Sequence, residues 1–441
     1  MRNFSRNALA AQPTRPLPKL AIQPMPGSSG SVSPNQSIPS LEGLRAFAAL
    51  GVVALHTAYL VGHSIFNAYQ YPWLAFFTVF GNTGVQLFFV LSGFLLFLPY
   101  AKGLLFQEKW PSTRVFYLRR ALRILPGYYF SLFALLIFVQ RSYFRPDHWK
   151  QLLLFLFFFM DSSKATFQQI NVPYWSLAVE VQFYLLLPLV ALGMSLLVKR
   201  LAQASSRRLW VAIGACLCVI VVSLIVRSIG LQMVHQPQSR SDFAHVLLAG
   251  AQFVFFGVWG KFWEDFALGM IISLCFVYAQ HGEAGLAFRH RLQRMNPWTG
   301  LAALVVLIFC ALWNFRSSYP VAQMNFLQPL VPYDAWLMGF FASLGWGLLL
   351  LSILSGNRPY RALFEWKPLR TLGIISYTIY LWHLPMLTLF KKYIFVHLSV
   401  TNVFLSHLLY WSFFAVVIIP WCIFVHWLVE KPFMRLKKKQ K

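Results

Sequence analysis

The apolar runs of this chain constrain its architecture before any single residue is considered. Along 441 residues, about ten runs approach the roughly 20 residues that carry a helix across a bilayer. They lie near 44–62, 82–100, 121–140, 174–198, 209–229, 262–280, 299–315, 335–355, 373–390 and 405–428. A β-barrel would show short alternating segments instead. The chain therefore reads as all-α: a polytopic membrane helical bundle of about ten transmembrane helices. Composition agrees, with 58% of residues hydrophobic and 11% charged, unlike an average soluble domain.

The formal charge of +26 does not point to nucleic acid once its distribution is read. Basic blocks such as Arg119-Arg120, Lys199-Arg200, Arg207-Arg208 and Lys437-Lys438-Lys439 fall between alternate apolar runs. That is the positive-inside pattern, and it also favours contact with anionic membrane lipids. It puts both termini in the cytoplasm, with an even number of crossings. Residues 1–39 carry Arg2, Arg6, Arg15 and Lys19 but no acid, are rich in Pro, Ser, Gln and Asn, and lack a long apolar core. They read as a disordered basic cytoplasmic tail, not a signal peptide. Residues 434–441 read as a second basic cytoplasmic tail, which leaves 40–433 as the membrane domain.

Two apolar segments resist the scheme. The run 151–160 is too short to cross and is expected to be re-entrant or to lie at the outer interface. Counting 243–260 as a crossing would place the Lys-rich C-terminus outside, so an outer-face helix is expected there. Cys216, Cys218, Cys275, Cys310 and Cys422 all sit in or at apolar runs and form no CxxC pair. They read as small packing residues, with neither a disulfide framework nor a metal site.

Ionisable groups inside apolar runs are costly and usually face a polar pathway. Arg45 and His56 share the first run, eleven positions apart. On a helix that spacing returns to nearly the same face with a rise of about 16 Å. A planar guanidinium suits an anionic donor group, and an imidazole suits a general base. The bland alternative is a snorkelling arginine and a core histidine. Arg120 and Arg123 in Arg119-Arg120-Ala121-Leu122-Arg123 lie one helical turn apart, and with Arg45 they would form a mouth for phosphates. Glu180, in Trp175-Ser176-Leu177-Ala178-Val179-Glu180, lies about 9 Å into its run. It is expected near the depth of His56, orienting that imidazole as the third member of a triad does. His383 lies about 15 Å into its own run, at a similar depth. Ser92 in Phe88-Phe89-Val90-Leu91-Ser92-Gly93 reads first as helix packing. Glu430-Lys431-Pro432-Phe433 reads as a helix stop at the membrane surface.

Six stretches, SIPSLEGLRAFAALGVVALH, GVQLFFVLSGFLL, FYLRRALRILP, YWSLAVEVQFYLLLP, LGIISYTIYLWH and VEKPF, in this order resemble the acyltransferase 3 family of integral membrane acyltransferases. The resemblance runs over residues 37–433. It implies a bundle of roughly ten helices that moves acyl groups, commonly acetyl, from cytosolic acyl-CoA to hydroxyls of saccharides or envelope glycans. It carries Arg45 and His56 over as the essential pair and marks Arg120, Arg123, Glu180, Tyr380 and His383 as motif positions. Two departures stand out. Gln86 replaces a common Asp and cannot ionise, and Ala46 replaces a common Gly. The soluble hydrolase-like domain that some members append is not expected after Lys441.

The expectation is thus a multi-pass O-acyltransferase of the bacterial plasma membrane, with acyl-CoA as donor substrate, a glycan or other hydroxyl acceptor, and no metal. Arg45, Arg120 and Arg123 would bind the donor; His56, Glu180 and His383 would carry the chemistry, with Ser92 a lesser candidate for an acylated intermediate. O-acylation of a small hydrophobic metabolite such as a macrolide is the alternative within the same class. Intramembrane His, Glu and Arg would also suit a proton-coupled transporter.

Overall fold

The computed structural model describes residues 38–62, 71–234, 249–319 and 322–436. The described residues form helices and turns, with no strand among them. The N-terminal tail lies outside them up to residue 37, as does the end of the chain beyond residue 436.

Helix α1 (Pro39–Val61) opens on a proline, whose missing N–H costs nothing at a first turn, and is followed by Gly62 at φ 93°. A short helix, α2 (Pro72–Gly81), precedes α3 (Gly84–Phe106); it lies between the first two apolar runs. Then come α4 (Thr113–Phe138), capped by the Ser112 hydroxyl, and the eight-residue α5 (Trp149–Leu156). Next are α6 (Tyr174–Leu201) and α7 (Ser205–Val234). After α8 (Trp263–Tyr278) and α9 (Gly282–Ser318), the chain coils through tight and wide turns containing Pro329 and Pro332 before settling into α10 (Gly339–Leu354). Two short helices, α11 (Arg358–Phe364) and α12 (Lys367–Ile374), lead to α13 (Ser376–Tyr393). The last element, α14 (Val403–Leu436), contains wide π turns at Phe414–Ile418 and His426–Glu430.

Eight helices among the described residues are long and apolar enough to cross a bilayer, or nine if α12 and α13, which meet at 75°, are one broken span. The chain is a multi-pass membrane protein. The expected run 262–280 is a helix of 16 residues, rising about 24 Å, short of a hydrocarbon core of about 30 Å. Its first turn carries Glu264 and Asp265, both fully buried, so that end is tucked into protein. Glu264 pairs with Arg227 of α7 at 2.7 Å. Unpaired, each charge would be expensive there.

The two segments that resisted the apolar-run scheme are joined. The run 151–160 is α5 followed by a reversal at Phe158 (φ 60°). Residues 243–248 lie outside the described residues; beyond them a helical turn and a π turn (Gln252–Phe256) reverse at Gly257 and Gly260. Lys261 Nζ reaches Asp161 Oδ2 at 2.5 Å, Val258 N–H donates to the Asp161 carbonyl at 3.0 Å, and Gln182 Nε2 donates to Asp161 Oδ1 at 2.9 Å.

The long core runs between α3, α4, α6, α8 and α13. At its centre α3 and α8 approach through glycines. A Cβ on Gly93 would lie 2.1 Å from the Phe266 carbonyl oxygen, and one on Gly269 would lie 2.2 Å from that of Val90. Small residues that let membrane helices touch are the packing device of lipid-embedded bundles. Cys216, Cys310 and Cys422 are buried packers as expected; Cys218 instead faces outward.

Candidate active site

Arg45 sits in the second turn of α1, and the face it shares with His56 is turned into the protein. Its guanidinium borders a cavity between the helices that opens toward solvent. From α4 come Arg120 and Arg123, one turn apart; from α3, Phe88 and Ser92; from α6, Ser176, Glu180 and Tyr184; from α13, Tyr377 and Tyr380. The three arginines expected to act together therefore do meet. No ion pair joins any of them to a carboxylate among the described residues, and the buried Nε of Arg120 has no partner.

Among the described residues, Glu180 is the one carboxylate lining the cavity. Ser92 Oγ donates to its Oε1 at 2.5 Å, and the Tyr184 hydroxyl donates to the same oxygen. Helix α3 fixes the depth of this cluster. Gly81 abuts the carbonyl of Gly51, and Gly84 abuts that of Ala48, so α1 and α3 run antiparallel. Four further residues of α3 bring Phe88 level with Arg45, and eight, about 12 Å, bring Ser92 level with the first turn of α1, on the far side of Arg45 from His56. Glu180 accordingly belongs to the arginine end of the cavity.

His56 lies about 16 Å farther along α1, and its partner is not Glu180. His56 Nδ1 is 2.9 Å from His383 Nε2. The expected triad is thereby corrected: His383 takes the place beside His56 that Glu180 was expected to hold, because the Glu180 carboxylate is tied to Ser92 and Tyr184. His383 is fully buried, and its Nδ1 is 2.9 Å from the Ile379 carbonyl oxygen, one turn earlier in α13. A carbonyl only accepts, so His383 Nδ1 carries its proton. With both rings neutral, His383 Nε2 is then an acceptor, His56 Nδ1 donates to it, and His56 Nε2 keeps a free lone pair. Such an imidazole can take a proton from a hydroxyl.

Tyr380 links the two ends. Its ring lines the cavity and lies 6.1 Å from that of His383. Its hydroxyl is 2.5 Å from Ser176 Oγ.

Several contributors were not singled out by sequence. Tyr184 has only its position one turn after Glu180 to mark it. Glu430, read as a surface helix stop, is instead buried at 4% exposure. Its Oε1 accepts from Thr378 Oγ1 at 2.6 Å, and its Oε2 is 2.8 Å from His426 Nδ1. It thus pins α14 to the start of α13, where the neighbouring Tyr377 donates to the Ile124 carbonyl at 2.8 Å. Gln86 is buried away from the cavity lining. A Cβ on Gly339 would lie 3.2 Å from its Nε2 and 3.6 Å from the Arg227 guanidinium. A carboxylate at that position would face the Arg227–Glu264 pair.

Among the described residues no three His, Cys, Asp or Glu side chains converge as metal ligands would. The groups suited to an anionic cofactor or co-substrate are the three arginines, whose forked donors match phosphate oxygens.

The profile of the acyltransferase domain family matches residues 38–427. The chain is 27% identical over 371 residues to OatA of Listeria monocytogenes, a peptidoglycan O-acetyltransferase, covering 80% of this chain and 50% of that protein. YrhL of Bacillus subtilis is 26% identical over 371 residues, covering 80% and 49%. OatA of Staphylococcus aureus, an O-acetyltransferase, is 26% identical over 388 residues, covering 81% and 51%. The chain spans about half the length of the curated relatives it matches. No solved structure matches it.

Proposed function

This chain belongs to the acyltransferase domain family, and on that premise we propose that it transfers an acetyl group from cytosolic acetyl-CoA to a hydroxyl of an envelope glycan. One observation carries the reading. Three partly buried guanidiniums face a single carboxylate among the described residues of one cavity, and an excess of one sign of charge there calls for a counter-ion. The phosphates of a coenzyme A thioester supply it. The other end of the same cavity reaches Tyr380, beside the histidine pair. The relatives named for peptidoglycan O-acetylation support a glycan acceptor.

In this scheme Arg45, Arg120 and Arg123 hold the phosphates, and the pantetheine arm runs along α1 toward His56. The acceptor hydroxyl hydrogen-bonds to His56 Nε2. As its oxygen attacks the thioester carbonyl, the proton passes to Nε2, and His383 holds the opposite N–H of the imidazolium. The tetrahedral intermediate collapses with cleavage of the C–S bond. The proton then moves from Nε2 to the departing thiolate, which leaves as neutral thiol. Ser92 serves Glu180 here; an acyl group on Ser92 would lie several turns from the imidazole.

We place both termini and the basic blocks on the cytosolic side, with basic tails flanking 40–433. The donor then enters from the arginine end, and the acceptor from the opposite side.

The test is transfer of label from radiolabelled acetyl-CoA into alkali-labile esters of isolated cell envelopes. Arg45→Ala and His56→Ala, at matched expression, are expected to lower the rate by at least about 100-fold. Parent-level transfer by either variant would remove that residue from the scheme. Envelope esters forming without label from acetyl-CoA would remove the donor.

A further inference from the structure

The acyl group, unlike the phosphates, leaves no charge signature, and what bounds it is the wall of the cavity between arginines and imidazoles. That wall is aromatic. Phe88 lies about one turn from Ser92 toward the His56 end of antiparallel α3. Helical side chains lean toward the helix N-terminus, which aims the Phe88 ring farther in that direction. Its centroid lies 5.7 Å from that of Tyr380, edge to face at 74°, and Tyr380 in turn lies 6.1 Å from His383.

The wall residues differ in how firmly they are held. Tyr380 is anchored through its hydroxyl to Ser176. Phe89 is 2% exposed and packs at 4.7 Å on Phe266 and 5.7 Å on Phe262, inside the core. Phe88 is only half-buried. It packs on the edge of the core and lines the cavity beside Tyr380, the residue that leads on to His383.

We propose that Phe88 sets the acyl-chain length: its ring leaves room for a short acyl group beside the His56–His383 pair and excludes a medium chain. The inference rests on the reading in which the arginines hold the phosphates and the thioester lies near His56. A pocket wall discriminates by steric exclusion, and each methylene that cannot be accommodated costs roughly tenfold or more in rate.

The experiment uses the full chain in membranes, supplied with radiolabelled acetyl-CoA or hexanoyl-CoA, and counts ester label in the envelope. The parent protein is expected to favour acetyl over hexanoyl by at least about 100-fold. Phe88→Ala is expected to bring the two donors to within about tenfold of each other, mainly by raising hexanoyl transfer. Phe88→Leu, a smaller cut, is expected to fall between. Leu95→Ala, about two turns along the same helix on the arginine side, should keep the parent ratio. Size-exclusion profiles in detergent establish that each variant is folded. A folded Phe88→Ala protein with the parent ratio would overturn the proposal, as would a parent protein that uses both donors equally. No label from either donor with the parent protein would overturn the acyl-CoA reading itself, and the gate with it.

Discussion

His56 can act as a base only if the right one of its nitrogens is left bare, and that choice is made by the Ile379 carbonyl through His383. Replacing His383 with Phe removes the acceptor for His56 Nδ1–H. We expect kcat to fall at least about tenfold while KM for acetyl-CoA stays within about twofold; an unchanged kcat would show that His383 only fills space. Glu180 leads to the opposite expectation. It is the carboxylate that faces three guanidiniums, so it competes with an anionic donor. Glu180→Gln keeps an oxygen for Ser92 and Tyr184 but removes the charge, and should tighten acetyl-CoA binding by roughly twofold to tenfold. A collapse of kcat with unchanged binding would instead assign Glu180 to proton transfer. Arg45, His56, Arg120, Arg123 and His383 were legible because an ionisable side chain in an apolar run stands out. Ser176, Tyr184 and Tyr377 were not, since hydroxyls carry little desolvation cost and occur throughout such helices.

At the level of elements, the site depends on where α13 starts and how α3 meets α8. The apolar run 373–390 looks like one span, yet the chain turns by 75° between α12 and α13. Hydropathy registers length and not direction, so the bend had no signature. What pins it is Glu430, whose buried carboxylate holds Thr378 and His426. Glu430→Ala leaves both partners unsatisfied, at a cost of about 1–3 kcal/mol. Thermal unfolding in detergent should show a clear drop, with loss of transfer exceeding the loss of folded protein as Tyr377 and Tyr380 shift. Parent stability in this variant would rule out the anchoring role. At the other contact, Gly93→Val drives a side chain into the Phe266 carbonyl. Overpacking of about 1–3 kcal/mol or more is expected, seen as a reduced yield of monodisperse protein. The Gly in Leu91-Ser92-Gly93-Phe94 was readable as a packing residue, but its partner on α8 was not.

Across the whole molecule, charge asymmetry orients the chain in its membrane and the cavity gives that orientation a use. With the arginine end facing the cytosol, a fluorescent protein fused after Lys441 should be bright and a phosphatase fused there inactive. The reverse pattern would invert the donor and acceptor sides. The medium, the helical class and the family were determined by sequence alone, because bilayer-length apolar runs and ordered motifs are local properties of the chain. The number of crossing helices was less so: the 16-residue α8 reads as a span by composition, but buries a charged first turn. Which polar groups meet was decided only by tertiary structure. His56 and His383 stand 327 positions apart, whereas Glu180, alike in predicted depth, turned to Ser92. A hydrogen bond tolerates only tenths of an ångström, and that distance is set by how helices rotate and cross when glycines let them touch.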